Sequence, residues 1–208
     1  HTWNMCPNAL EDAINKYIQI GKKPKAIIPV HLYGMPAKMN EIIILSEKFD
    51  IPIIEDAAEA LGSKYFDIPC GTFGKMSILS FNGNKIITTS GGGMLLSDDK
   101  IKIEKARFLA TQSRDKAPYY AHSELGYNYR LSNISAGIGR GQMEVLDNRV
   151  EKRRSIFETY RNALAHMQGL GFLSEPTGSF SNRWLTTVLF DEKYWPIGTN
   201  EKIRLTLD

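Results

Sequence analysis

The sequence lacks the features that would place it in the extreme classes of protein. Cysteine occurs twice in 208 residues, at Cys6 and Cys70, which is too few for a disulfide framework, so the expected compartment is a reducing cytoplasm. No charge sign dominates: 26 Lys and Arg against 23 Asp and Glu leave a net +3. That is too little basicity for a nucleic-acid partner. The longest apolar runs, residues 42–45 and 51–54, fall far short of the roughly 18–20 residues that cross a bilayer, and no membrane partner is expected. Gly (17) and Pro (9) are near average, which excludes collagen-like and low-complexity chains. Four His and two Cys occur without CxxC, HxxxH or HExxH spacing, so no metal site is expected. Walker A, GxGxxG and GxSxG motifs are also missing, which removes P-loop, dinucleotide and α/β-hydrolase readings.

What is present is an alternation of short apolar runs with amphipathic stretches. Residues 7–19 read as a helix opened by Pro7, with Leu10, Ala13, Ile14, Tyr17 and Ile18 at helical spacing. Residues 25–30 are strand-sized, residues 36–49 suit a helix, and residues 51–54 form a second buried strand. That order is a βαβ unit with two adjacent parallel strands. Residues 57–61 suggest a helical turn, and 63–70 and 74–81 two more strands. Residues 85–89 and 93–97 flank a triple glycine and suggest a hairpin-like pair. Asp98 is placed to cap a helix running to Ala110, followed by a long polar, aromatic loop over 111–128. A small-residue helix spans 132–143. A charged helix spans 144–166, with Val145, Leu146, Val150, Ile156, Tyr160, Ala163 and Leu164 as its inner stripe. Residues 184–190 return as a strand. The chain begins at His1 and ends at Asp208 inside an apolar-periodic stretch, and both ends are expected to be cut.

Three constellations can carry chemistry. Asp56 directly follows the buried strand 51–54, at the carboxyl end of an open sheet where ligands bind. It can hold a cation or a protonated ring nitrogen there, or serve as a helix N-cap. Lys85 lies between the polar turn 82–84 and the apolar run 86–87. Partial desolvation at such a strand mouth makes an amine a usable nucleophile for a carbonyl. Ser80 and the turn amides can bind a phosphate without a P-loop; an ordinary surface turn is the other reading. Residues 124–130 (ELGYNYR) put Tyr127, Asn128 and Arg130 together, a set suited to stacking and anion recognition or simply a loop anchored by tyrosines. His31 ends the first strand, at the same sheet edge as Asp56.

Taken in order, AIIPVHLYG (26–34), IPIIEDAAEALGS (51–63), GTFGKMSILSFNGNKIITTSGGGML (71–95) and ELGYNYRLSNISAGIGRGQMEVLDNRVEKRRSIFETY (124–160) resemble the DegT/DnrJ/EryC1/StrS family of nucleotide-sugar aminotransferases. The resemblance implies an α/β, aspartate-aminotransferase-like fold. Its large domain carries a mixed, mostly parallel sheet and binds pyridoxal 5′-phosphate. Residues 1–145 would be the C-terminal portion of that domain, and 146–208 a linking helix and part of a small α+β domain. It implies that Lys85 bonds the cofactor and moves the proton, that Asp56 pairs with the pyridinium nitrogen, and that Ser80 binds the phosphate. Asn128 would reach the phosphate of the neighbouring subunit of a homodimer. Glu59 stands where many relatives carry Gln or His near the phenolic oxygen, an unfavourable place for an acid unless a proton is shared. Tyr127, Arg130 and His31 are substrate or cofactor contacts. The motif wording points to glutamate as amino donor and to a UDP-linked 4-keto-6-deoxy-N-acetylhexosamine as acceptor, serving surface polysaccharide or glycan synthesis. Lys85 disfavours a dehydratase-like member, in which a His replaces the lysine. Lys85 and Asp56 together disfavour a non-catalytic regulator. Because a complete member is about twice as long, the 208 residues alone are expected to be inactive.

Overall fold

The structure is a computed structural model that describes residues 2–207. Helix α1 (Pro7–Gln19) starts as the sequence expects, with Pro7 in the first turn, where a missing N–H costs nothing. Helix α2 (Met39–Phe49) begins at Met39 rather than Pro36. Lys38 precedes it in a non-helical conformation, φ −74° and ψ 71°, and the amide of Ala37 donates to His31 Nδ1 at 2.9 Å. Ile14 of α1 and Met39 and Ile42 of α2 close a core over Ile27, Ala37, Ile51, Ile53 and Tyr65.

The expected βαβ unit is present but thinner than the apolar runs suggest. Strand β1 is Ile54–Asp56. The 25–30 segment lies parallel to it through isolated bridges, Ile27 opposite Ile53 and Val30 opposite Asp56. Pro29 and Pro52 have no N–H to donate, so neither segment builds a continuous ladder there. β2 (Lys64–Tyr65) and β3 (Ile68–Pro69) form a short hairpin. β4 (Met76–Ser80) runs parallel to β1 with Asp56 opposite Ile78. β5 (Gly93–Leu96) pairs antiparallel with β4, Ser80 opposite Gly93. This corrects the expected pairing of 85–89 with 93–97. β4 has an unpaired edge that β5 fills, and Ile87 is instead buried in a second core with Ala57, Ala60, Cys70, Leu79 and Phe81. The result is a mixed sheet whose parallel strands end on one edge.

Helix α3 (Lys100–Ala110) is capped by Asp99, which accepts from the Lys102 amide at 3.1 Å, and not by Asp98. Helix α4 (Asn133–Met143) is capped by Ser132. Helix α5 (Leu146–Ala163) buries Val150 and Phe157. Ile156 and Tyr160, expected on its inner stripe, are exposed: Val150 and Phe157, two turns apart, define the face that packs. β6 (Leu170–Phe172) pairs with β8 (Val188–Phe190), while β7 (Ser179–Phe180) joins the outer edge of β2. α6 (Thr199–Leu207) closes the described chain. Among the described residues no helix is long and apolar enough to cross a membrane.

A buried polar pair fastens this arrangement. His31 and Glu55 are both 0% exposed, and His31 Nε2 lies 2.7 Å from Glu55 Oε1. The other ring nitrogen accepts from Ala37, so Nε2 is the donor to the carboxylate. Glu55 also accepts from the amides of Gly71, Phe73 (2.8 Å) and Gly74 (3.2 Å). Burial alone would raise its pKa. The His31 hydrogen bond and these amides outweigh burial and hold the carboxyl below its ordinary value of 4.5. A depressed folded pKa contributes stability that is present above the unfolded value and lost as pH falls through the folded one. Glu55→Gln is therefore expected to cost roughly 3 kcal/mol at neutral pH. Urea unfolding at several pH values should show the wild-type midpoint falling on acidification below about 4.5, and that of the variant falling less.

Candidate active site

Asp56, Ser80 and Lys85 come to the carboxyl edge of the parallel strands. Asp56 ends β1 and is half-buried. Its Oδ1 accepts from the Ala58 amide at 3.1 Å, so it caps a turn rather than a helix. The following residues confirm this, with Ala60 and Ser63 amides bonded to Ala57 and Ala60 carbonyls. Ser80 ends β4, and its Oγ is 3.4 Å from the Asn82 amide. Lys85 closes the next turn, its amide bonded to the Asn82 carbonyl. Ile87 and Phe81 anchor that turn from beneath.

The lysine is largely enclosed, its side chain 13% exposed. Its Nζ lies 3.6 Å from Glu59 Oε1 and 4.1 Å from the centroid of the Trp184 ring. The other oxygen of Glu59 accepts from the Tyr33 amide at 2.7 Å. Tyr33 is held in the left-handed region, φ 56°, in a short turn over Leu32–Gly34. The Asn4 side chain brackets that turn, accepting from the Leu32 amide and donating to the Met35 carbonyl. Glu59 thus bridges Lys85 and the Tyr33 amide within this chain.

Trp184 and Asn182 carry no signal in the local sequence pattern, yet they complete the cluster. Trp184 Nε1 donates to the Asn84 carbonyl at 2.7 Å, one hundred residues away in the chain. Asn182 donates to the carbonyls of Glu59 and Leu61, at 2.8 and 2.9 Å. Ser63 Oγ accepts from the Asn182 amide and donates to the Gly34 carbonyl. The strap that bears them is fixed to α5: Arg154 binds both oxygens of Glu175 and the Ser181 carbonyl. Burial would raise the Glu175 pKa, but Arg154 and the Ser181 amide keep it below its usual range. The Arg183 guanidinium covers the Phe157 ring at 3.7 Å.

The remaining expected residues stand elsewhere. His31 is corrected: its ring is fully buried and both nitrogens are bonded to Glu55 and Ala37, so it offers a substrate nothing. Tyr127, Asn128 and Arg130 are exposed on the long loop, with Tyr127 stacked on Tyr129 at 5.0 Å. Among the described residues no hydrogen bond joins them to Lys85. His31, Glu55 and Cys70 place one ligand-type atom each within 4.8 Å, a juxtaposition that sequence spacing did not reveal. The hydrogen bonds already described occupy the His31 nitrogens and the Glu55 oxygens. Burial, and then the nearby Glu55 carboxylate, push the Cys70 thiol pKa well above its ordinary value, which leaves it a neutral, unreactive group.

An α/β sheet with an acid and an enclosed lysine at one edge is the arrangement of a pyridoxal-phosphate aminotransferase fold. The chain belongs to the DegT/DnrJ/EryC1/StrS aminotransferase family, whose sequence profile matches residues 1–202. It is 58% identical over 195 residues to the protein EpsN of Bacillus subtilis, covering 94% of this chain and 50% of that one. It is 37% identical over 186 residues to GDP-perosamine synthase of Vibrio cholerae, covering 89% of this chain and 50% of the relative. Among solved structures, Helicobacter pylori PseC, an aminotransferase of pseudoaminic acid biosynthesis, superimposes with a TM-score of 0.87 at 25% identity. That match covers 98% of this chain and 54% of PseC. The chain spans about half the length of the curated relatives it matches.

The Gly34–Asn182 contact offers a direct check on how the strap is seated. Gly34 has φ +79°, and a Cβ there would lie 1.9 Å from Asn182 Oδ1. Gly34→Ala combines that clash with a left-handed backbone, and is expected to cost about 2 kcal/mol or more. Asn182→Ala, which strips donors from buried carbonyls, is expected to cost a similar amount. In the double variant the clash is relieved, so a double-mutant cycle on unfolding free energies should show a coupling of about 1 kcal/mol.

Proposed function

We propose that this chain contributes the lysine-bearing part of the cofactor site of a nucleotide-sugar aminotransferase. The reaction would transfer the amino group of glutamate to the C4 carbonyl of a UDP-linked 4-keto-6-deoxy-N-acetylhexosamine, releasing 2-oxoglutarate. The observation that carries this reading is the convergence of Asp56, Ser80 and the enclosed Lys85 on one sheet edge. These residues fit pyridoxal phosphate: a buried-side amine for its aldehyde, a carboxylate for its ring nitrogen, and a hydroxyl beside turn amides for its phosphate. When bound, the cofactor supplies a protonated ring that draws electrons from the carbon being deprotonated. Lys85 would bond the cofactor through its aldehyde and, once released as a free amine, would carry the proton. Asp56 keeps a proton on the ring nitrogen.

Support for the substrate class comes from relatives. One is named a transaminase of a UDP-4-amino-4,6-dideoxy sugar (Campylobacter jejuni, 39% identity over 137 residues). The GDP-perosamine synthase match favours a second reading, with a GDP-linked 4-keto sugar as acceptor. The product would feed a surface polysaccharide or glycan. We further infer a homodimer in the cytoplasm, in which the exposed Asn128 serves the site of a second copy. Exposed Tyr119, Tyr120 and Leu125 on the same loop supply apolar area for that contact.

Borohydride fixation of pyridoxal phosphate followed by peptide mapping should label Lys85, and labelling of another lysine would refute the assignment. In the protein that carries this segment, Lys85→Ala should lower amino transfer by at least about a thousandfold, as loss of a nucleophile that is also the proton carrier implies. Amination of a panel of UDP-, GDP- and dTDP-linked 4-keto sugars then decides the acceptor.

A further inference from the structure

Nothing in the lysine's proposed chemistry explains why an indole from the connection between β7 and β8, a hundred residues away, should cover its amine. The geometry is specific. Trp184 is 5% exposed, and its ring has two separate attachments at the same turn. Its N–H edge is bonded to the carbonyl of Asn84, and its face lies over the Nζ of the next residue, Lys85. Glu59 closes a second side at 3.6 Å, and its own position is set by the Tyr33 amide rather than by the lysine. Both partners are therefore held in place by bonds that do not involve Lys85. A negative ring face and a carboxylate, both preorganised, make a receptor for an ammonium group.

The arrangement does not require the lysine to stay there. Among the described residues, the attractions on Nζ are an ion pair longer than a hydrogen bond and a ring-face contact, neither of which locks the amine in one orientation. A lysine that must alternate between being bonded to a cofactor and being released needs a defined place for the released state. We propose that Trp184 and Glu59 form that place: a resting cage for the free Lys85 amine, with Trp184 the positioning residue contributed by the 181–184 strap. The role in turnover rests on the cofactor reading above, whereas the cage itself is a property of the free amine and can be observed without cofactor. The strap is secured by Asn182 to the Glu59 and Leu61 carbonyls and by Arg154 to the Ser181 carbonyl. The cage therefore also couples the position of the strap to the position of the lysine.

The test uses the full 208-residue chain, with lysines labelled with carbon-13 at Cε and the Lys85 signal assigned through Lys85→Arg. Protons held over an indole face are shifted upfield by its ring current. The Lys85 methylene signal is expected upfield of the other lysines, to keep a shift in Trp184→Phe, and to lose it in Trp184→Leu. A second readout is the rate at which an amine-reactive ester acylates Lys85, measured by peptide mapping. It should rise about tenfold in Trp184→Leu and in Glu59→Gln, as loss of a desolvated cation–ring or ion-pair contact implies, and stay near wild type in Trp184→Phe. A Lys85 signal among the other lysines in the wild-type chain would overturn the cage, even if the leucine variant proved too unstable to study. So would equal acylation rates in wild type and Glu59→Gln. Borohydride fixation separates the two proposals. Label on Lys85 without an upfield signal removes the cage alone, and an upfield signal with label on another lysine removes the cofactor assignment alone.

Discussion

The site depends first on how a buried carboxylate is satisfied. An unpaired carboxylate in an apolar interior is prohibitively costly, and Glu55 at the middle of β1 is fully buried. It is tolerated because His31 and three amides of the 71–74 turn converge on its two oxygens. That set of bonds ties together three segments distant in sequence: the end of the 25–30 segment, β1, and the turn that leads into β4. Side chains alternate along a strand, so with Glu55 committed inward, Ile54 and Asp56 must point to the opposite face. A one-residue slip would bury Asp56 and expose Glu55. The pair thus sets the register that puts Asp56 at the open edge of the sheet. Through His31 Nδ1 it also holds the amide of Ala37, just ahead of α2.

The second constraint is the seating of the 181–184 strap. Arg183 adopts φ 51°, an unfavourable region for a residue with a Cβ. Its side chain spans the Phe157 ring and reaches the Leu173 carbonyl. The strained turn sends Asn182 and Trp184 toward the large sheet. There Asn182 satisfies two carbonyls of the 59–61 turn, and Trp184 satisfies that of Asn84. Gly34 is the residue on the opposite side for which any side chain would collide with Asn182. The lysine of the sheet edge and the strap beyond α5 are consequently parts of one packed unit.

Much of this was legible in the chain itself. α1 is bounded by Pro7 and ends before Gly21, and both are signals carried by single residues. The βαβ order follows from run lengths and spacing. The position of Asp56 follows from the same order, since it comes directly after the second strand of that unit, whereas the parallel pairing of β4 that brings Ser80 and Lys85 to the same edge is a tertiary outcome. Other features depart from the local pattern for identifiable reasons. The run 85–89 looks like a strand because it is apolar and β-branched, but burial of Ile87 as a plug satisfies the same pattern without a ladder. The α5 stripe read from periodicity includes Val150, which is buried, but also Ile156 and Tyr160 in place of the buried Phe157, because several rotations of a highly charged helix fit its sparse apolar residues almost equally. His31 shares with Asp56 a place at the end of a parallel segment, but the side a histidine faces depends on a partner, Glu55, that lies 24 residues away.

The sequence by itself determined the order of the elements, the place of Asp56 after a parallel strand, and membership of a family of aminotransferases. Those properties reside in near-neighbour spacing, and local sterics and hydrophobic periodicity transmit that spacing directly into structure. Only the tertiary structure decided that His31 turns inward, that β5 and not 85–89 completes the sheet, and that Glu59 and Trp184 enclose Lys85. Each of these outcomes is a contact between segments far apart in the chain. Such contacts are chosen by which buried polar groups can satisfy one another once the loops have closed, and no local pattern of residues encodes that choice.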